Sequence, residues 1–152
     1  MVVDSKYLYS DITDAVLQAH YTVKNALPVG LDIEVYKLAL KTEMELLGLT
    51  VHADKQTEIL YKKSVVGRLK ADLVVSDCVV LKLTYSESTD AQAETTLKNF
   101  LRFSDFEVGL ILNFAPDSQH KRLVFTNDIK NRNWYLLMFT DFYWVAAWRT
   151  SL

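Results

Sequence analysis

The residue types that carry out covalent or metal chemistry are few in this chain, and they are scattered. The three histidines, His20, His52 and His120, stand far apart, and none lies at helical or hairpin spacing from another common metal ligand. The single cysteine, Cys78, opens an apolar run, which suits a small core residue better than a reactive thiol. The four glycines are dispersed, so no loop of the kind that cradles phosphate is present. A Gly-x-Ser-x-Gly elbow and a Cys-His pair are also missing. Basic residues gather modestly at Lys62-Lys63, Arg68-Lys70 and His120-Lys121-Arg122, which a solvated face explains better than a nucleic-acid groove. What remains is acid–base patterning on adjacent strands, and its meaning depends on the elements that hold it.

The 152 residues, half of them hydrophobic and 24% charged, are expected to form one globular domain, 1–152. A formal charge of -2 does not support nucleic-acid binding by bulk electrostatics, although it does not exclude a local basic groove. One cysteine cannot form an intrachain disulfide, and no segment has the length and apolarity of a membrane span. The expectation is a soluble cytoplasmic protein with no membrane partner.

Periodicity places two helices first. Ser10 or Asp11 can cap a helix running to about Ala26, with Ile12, Val16, Ala19 and Val23 on one stripe and Pro28 as the stop. A second helix covers about Leu31 to Leu47, and Gly48 is placed for a left-handed C-terminal cap. The period then falls to two. Leu49 to Lys62 reads as one extended stretch or two short strands, Lys63-Ser64 as a turn, and Val65 to Val75 and Cys78 to Tyr85 as strands joined at Ser76-Asp77. Val79-Val80-Leu81 is apolar on both faces, as a central strand covered on two sides would be. A third helix, about Ala91 to Phe103, follows a cap at Thr89 or Asp90, with Ala93, Leu97, Phe100 and Leu101 facing inward. Val108 to Phe114 and Lys121 to Thr126 complete an α/β domain, a mixed β-sheet flanked by helices.

These residues resemble the GxxExxY proteins. The resemblance rests on Gly30 and Tyr36 in the opening helices, on Arg68 to Val75 and Val79 to Leu83, and on Leu97 to Leu101, Val108 to Phe114 and Lys121 to Val124. It spans about Ser10 to Asn127 and implies a PD-(D/E)XK nuclease-like, restriction-endonuclease-like core. It also implies a site of one helix glutamate, one strand aspartate, and a Glu-x-Lys pair on the next strand. The aspartate is present as Asp72. The helix glutamate position holds Ile33, with Glu34 one residue out of step, and Lys82 and Thr84 stand where Glu-x-Lys is implied.

A magnesium nuclease of this type needs hard oxygen ligands converging on one cation and a lysine beside the scissile phosphate. Residues two apart on a strand share a face, so Lys82 and Thr84 would both point at that site. At an effective dielectric near 20, a divalent ion about 4 Å from one ammonium meets roughly 8 kcal/mol of repulsion. Asp72 and Lys82 are therefore expected to form a structural ion pair, with Asp72, Lys82 and Glu34 as vestigial catalytic candidates. No metal or other cofactor is expected. The alternative is a magnesium-dependent nucleic-acid-processing enzyme with relocated ligands, for which Glu34 would need to turn about 100° around its helix.

The segment at about 128–152 extends past the resemblance and is intensely aromatic. Trp134, Tyr135, Phe139, Phe142, Tyr143, Trp144 and Trp148 lie there, including all three tryptophans of the chain. Rings of this kind are enriched at interface centres, so a homo-oligomer is expected to bury them. The functional expectation is a catalytically degenerate nuclease-like protein acting as a structural or self-assembling interaction module.

Overall fold

The computed structural model describes residues 8–88 and 90–130. Its elements run α1 (Ser10–Ala26), α2 (Ile33–Leu46), β1 (Val51–Ala53), β2 (Gln56–Tyr61), β3 (Ser64–Lys70), β4 (Leu73–Val75), β5 (Val79–Thr84), α3 (Ala91–Phe103), β6 (Val108–Asn113) and β7 (Lys121–Val124). The expected mixed sheet is present. Five strands lie in the order β1-β4-β5-β6-β7, with β5 and β6 parallel and the other pairs antiparallel. Helix α3 makes the crossover that a parallel pair requires.

Central strand β5 divides the core, as its two-sided apolar run implies. Val79, Leu81 and Leu83 face α1 and α2, packing with Val16, Ala19 and Val23 of α1 and Tyr36, Leu40 and Met44 of α2. Val80 faces the other way and packs with Ala93, Leu97, Phe100 and Leu101 of α3. Each helix thus buries the stripe its sequence period sets out. Gly109 on β6 lets α3 approach closely: a Cβ there would meet three Leu97 side-chain atoms at 2.9–3.0 Å.

The extended region differs from the sequence expectation. Val65 to Val75 is not one strand: it breaks at Ala71 and Asp72 into β3 and β4, which belong to different sheets. The neighbouring β1–β2 stretch breaks at the same level, where Asp54 turns into the left-handed region with φ +58°. The Asp54 amide donates to the Asp72 carbonyl at 3.2 Å and the Ala71 amide to the Lys55 carbonyl at 2.8 Å, so the bend satisfies its own backbone. Beyond it β2 and β3 form a separate two-stranded hairpin whose turn is Lys62-Lys63, since Tyr61 pairs with Ser64. Both turn residues have positive φ, as a two-residue hairpin turn requires, which shifts the turn one residue from Lys63-Ser64. Ser76 and Asp77 also take positive φ at the expected turn, closed by the Cys78 amide on the Val75 carbonyl at 3.0 Å, with Cys78 left over before Val79 pairs with Val75.

Helix caps match in two places and differ in one. Gly48 takes φ +85° after α2, and the Asp90 carboxylate accepts the Ala93 amide at 2.9 Å at the head of α3. Neither Ser10 nor Asp11 caps α1. Tyr9 holds that position at φ +57° without a side-chain cap, because its ring packs against the core.

Candidate functional site

At the bend the two sheets part, and two of the residues expected from the resemblance, Asp72 and Lys82, meet there. Leu73 pairs with Leu81 in the β4–β5 ladder, so Asp72 comes opposite Lys82 one step further. Their charged atoms lie 3.5 Å apart, and both side chains are half-buried. Asp72 also serves the backbone, because its carboxylate accepts the Leu83 amide at 2.8 Å, where the strand break has removed a ladder carbonyl. The aspartate therefore closes the end of the β4–β5 ladder.

Two further groups converge from α2 and the β1–β2 bend. Lys37 is only 6% exposed. Its ammonium lies 2.8 Å from Asp54 and 3.7 Å from Glu34. Burial pulls its pKa down, but the Asp54 hydrogen bond and the charges of Asp54, Glu34 and Asp72 outweigh this, so it stays raised. Asp54 in turn is held below the usual carboxylate range, chiefly by its hydrogen bond from Lys37 and then by Lys70, 3.4 Å away. Glu34 is largely exposed and reaches Lys37 rather than Asp72.

Thr84, two residues past Lys82, is tied elsewhere. Its hydroxyl donates to Asp90 at 2.8 Å, and Asp90 is already the cap of α3. Those two bonds, the backbone one first, hold the Asp90 carboxyl below its ordinary range.

The donor set does not fit a magnesium ion. Among the described residues no group of three or more His, Cys, Asp or Glu side chains is arranged to hold a metal. The carboxylates around the bend are each engaged by a lysine or by backbone: Asp72 by Lys82 and the Leu83 amide, Asp54 by Lys37 and Lys70. A hard cation would have to displace ammonium groups that already neutralise its ligands.

Sequence patterning does not single out Lys37 or Asp54. Lys37 had a legible signal, because it follows Ile33 by four residues on the same buried stripe as Leu40 and Met44. A lysine on an apolar stripe calls for a buried partner. Asp54 had none, since its placement depends on the left-handed bend.

Two of the basic clusters lie on the β2–β3 hairpin and the third at the start of β7. Lys62 and Lys63 sit at a hairpin tip, Arg68 lies 3.9 Å from Glu58, Lys121 pairs with Glu94 at 2.8 Å, and Arg122 donates to the Leu8 carbonyl at 2.8 Å. Cys78 packs against the core with its thiol pKa pushed up by burial and by Asp77 and Asp11, so it is not a poised nucleophile. The aromatic residues Trp134, Tyr135, Phe139, Phe142, Tyr143, Trp144 and Trp148 lie outside the described residues.

A five-stranded mixed sheet with helices on both faces, and an aspartate at the end of its antiparallel pair, is matched by a sequence family. The profile of the PD-(D/E)XK nuclease superfamily covers residues 10–123. The chain belongs to that superfamily. No curated protein sequence matches it. A solved structure titled "Crystal structure of SSO0001" is similar with a TM-score of 0.49 and 16% identity, covering 72% of this chain and 59% of that one. The chain thus spans 59% of the length of that protein. No helix among the described residues is long and apolar enough to cross a membrane.

Proposed function

We propose that this superfamily member is catalytically degenerate and works as an interaction module that assembles with itself. The observation that carries the first half is the Lys82 ammonium 3.5 Å from Asp72, where a cation would be needed, with Asp54 and Glu34 likewise engaged by the buried Lys37 ammonium. The Lys82 ammonium would repel a divalent ion by roughly 8 kcal/mol at about 4 Å in an effective dielectric near 20. A lysine at such a site stands in for the metal, neutralising the remaining carboxylates so that the fold survives without it. The protein then needs no metal or other cofactor.

The second half rests on composition. Seven aromatic side chains between Trp134 and Trp148 would leave a large apolar surface on a lone domain, and closed symmetric assemblies of one chain are the commonest way to cover such surface. The unpaired Cys78 suits a reducing compartment, and we place the protein in the cytoplasm on that ground. Two measurements test the reading. Calorimetric titration with magnesium or manganese should show no saturable binding at millimolar concentration, and DNA and RNA should remain uncut. Metal-dependent cleavage that Asp72→Ala abolishes would refute degeneracy. Light scattering should give a homo-oligomer, and truncation after Asn133 a monomer or an insoluble chain. A stable, soluble full-length monomer at micromolar concentration would refute self-assembly.

A further inference from the structure

Exposed apolar side chains are not spread evenly over this surface. Among the described residues, most of the large ones fall in two places. One is the tip of the β2–β3 hairpin, where Leu60, Tyr61, Val65 and Val66 are 38%, 57%, 47% and 60% exposed. The other is the outer side of α2, where Val35, Leu38 and Leu46 are 44%, 55% and 77% exposed. Val35, Leu38, Thr42 and Leu46 step by three and four residues, so they form a second stripe turned away from the buried one through Tyr36, Leu40 and Met44. A lone domain rarely leaves such patches open, and a two-stranded hairpin is marginal in water by itself.

The rims of the two patches carry opposite charge. From Lys55 to Lys70 the hairpin holds five basic residues and one acidic, in a chain whose formal charge is -2. Lys62 and Lys63 form its turn, and the Lys62 ammonium lies 5.8 Å from the centre of the Tyr61 ring, so positive charge edges the apolar tip. On α2, Glu43 and Glu45 stand on either side of Leu46. The last turn of α2 holds no basic residue, although the C-terminal end of a helix attracts cations. Lys41 engages Glu45 at 2.7 Å, but Glu43 has no ion-pair partner among the described residues. An ammonium from outside would answer both the acidic rim and the helix end.

We propose that the hairpin tip of one copy of this chain seats on the outer side of α2 in a second copy, with Lys62 and Lys63 against Glu43 and Glu45. The inference rests on the self-assembly reading and names surfaces among the described residues that take part in it. A second copy is the occupant because this chain carries both halves of the match, and within one chain neither half covers the other. An anionic lipid surface or a nucleic acid would satisfy the lysines but leave the α2 stripe open. Two copies related by a two-fold axis make the contact twice, the commonest form of a closed assembly.

Charge exchange in the full-length chain tests the match, read by sedimentation velocity across a dilution series. Lys62→Glu with Lys63→Glu should weaken association by about tenfold or more, and Glu43→Lys with Glu45→Lys should do the same. An equal mixture of those two variants, or one chain carrying all four changes, should recover wild-type association, because each basic rim again meets an acidic one. Leu38→Ser, which alters no charge, should also weaken association, whereas Tyr21→Ser, exposed on α1, should not. Association unchanged in both charge variants, with native circular dichroism, would overturn the proposal and leave self-assembly through other surfaces standing. Weakening without recovery in the mixture and the four-change chain would overturn it as well. Binding to anionic vesicles or DNA that Lys62→Glu with Lys63→Glu abolishes, while association is unchanged, would give the hairpin to an anionic surface instead. A wild-type chain that stays monomeric throughout the series would refute the self-assembly reading itself.

Discussion

Acid should weaken this fold through one histidine well before its carboxylates titrate. His20 lies on α1 with 1% of its surface exposed, and its Nε2 donates to the Asn113 carbonyl at 2.9 Å at the end of β6. Its Nδ1 is buried without a partner among the described residues, and Phe114 meets the ring edge-on. Burial lowers its pKa from 6.5 to about 4, with Lys24 and His120 adding to the effect against the Asn113 bond. A group whose folded pKa is depressed binds its proton more readily in the unfolded chain. Its neutral form therefore supports the fold fully above pH 6.5, and that support is lost as pH falls toward 4. The full loss is about 3 kcal/mol, and about 2 kcal/mol of it falls between roughly pH 7.5 and 5. With a urea slope of about 2 kcal/mol/M for a domain this size, the midpoint should drop by about 1 M across that window. His20→Gln keeps an N–H for Asn113 and cannot take up the proton, so its midpoint should be nearly flat there. Equal pH slopes in wild type and variant, or a flat wild type, would show that His20 is not the group responsible.

Asp72→Ala should cost about 1–3 kcal/mol in denaturation, because it leaves the Leu83 amide without its acceptor, whereas Asp72→Asn keeps one and should cost less than half as much. Equal costs would assign the role to the Lys82 ion pair instead. Gly109→Ala should lose about 1–3 kcal/mol through collision with Leu97, and adding Leu97→Ala should recover part of that loss; strict additivity of the two costs would rule the collision out. A metal site should be recoverable by Ile33→Glu, Lys37→Ala, Lys82→Glu and Thr84→Lys together, read as millimolar magnesium binding by calorimetry. The same set without Lys37→Ala should fail, because one ammonium remains; binding by that triple variant would show that Lys37 does not occupy the site.

Local patterning was enough for the framework. The 3.6-residue stripes of α1, α2 and α3, the two-sided apolar run of β5 and the residues at Ser76-Asp77 each depend on neighbours in sequence, and each lies where its period places it. The chemistry also left a trace, since Lys82 and Thr84 sit at fixed spacing on one strand opposite Asp72. What the chain alone did not disclose is the bend. The stretch from Val65 to Val75, with valines at both ends and no Pro between them, reads as one strand, and only the left-handed turn at Asp54, with its paired amides, divides it between two sheets. That division brings Asp54 and Lys37, 17 residues apart in sequence, to 2.8 Å of each other and sets Asp72 against Lys82 at 3.5 Å. Spacing along a strand is set by the backbone, so sequence determines it. Which charges meet across a bend is set by where the sheets part, and only tertiary structure decides that.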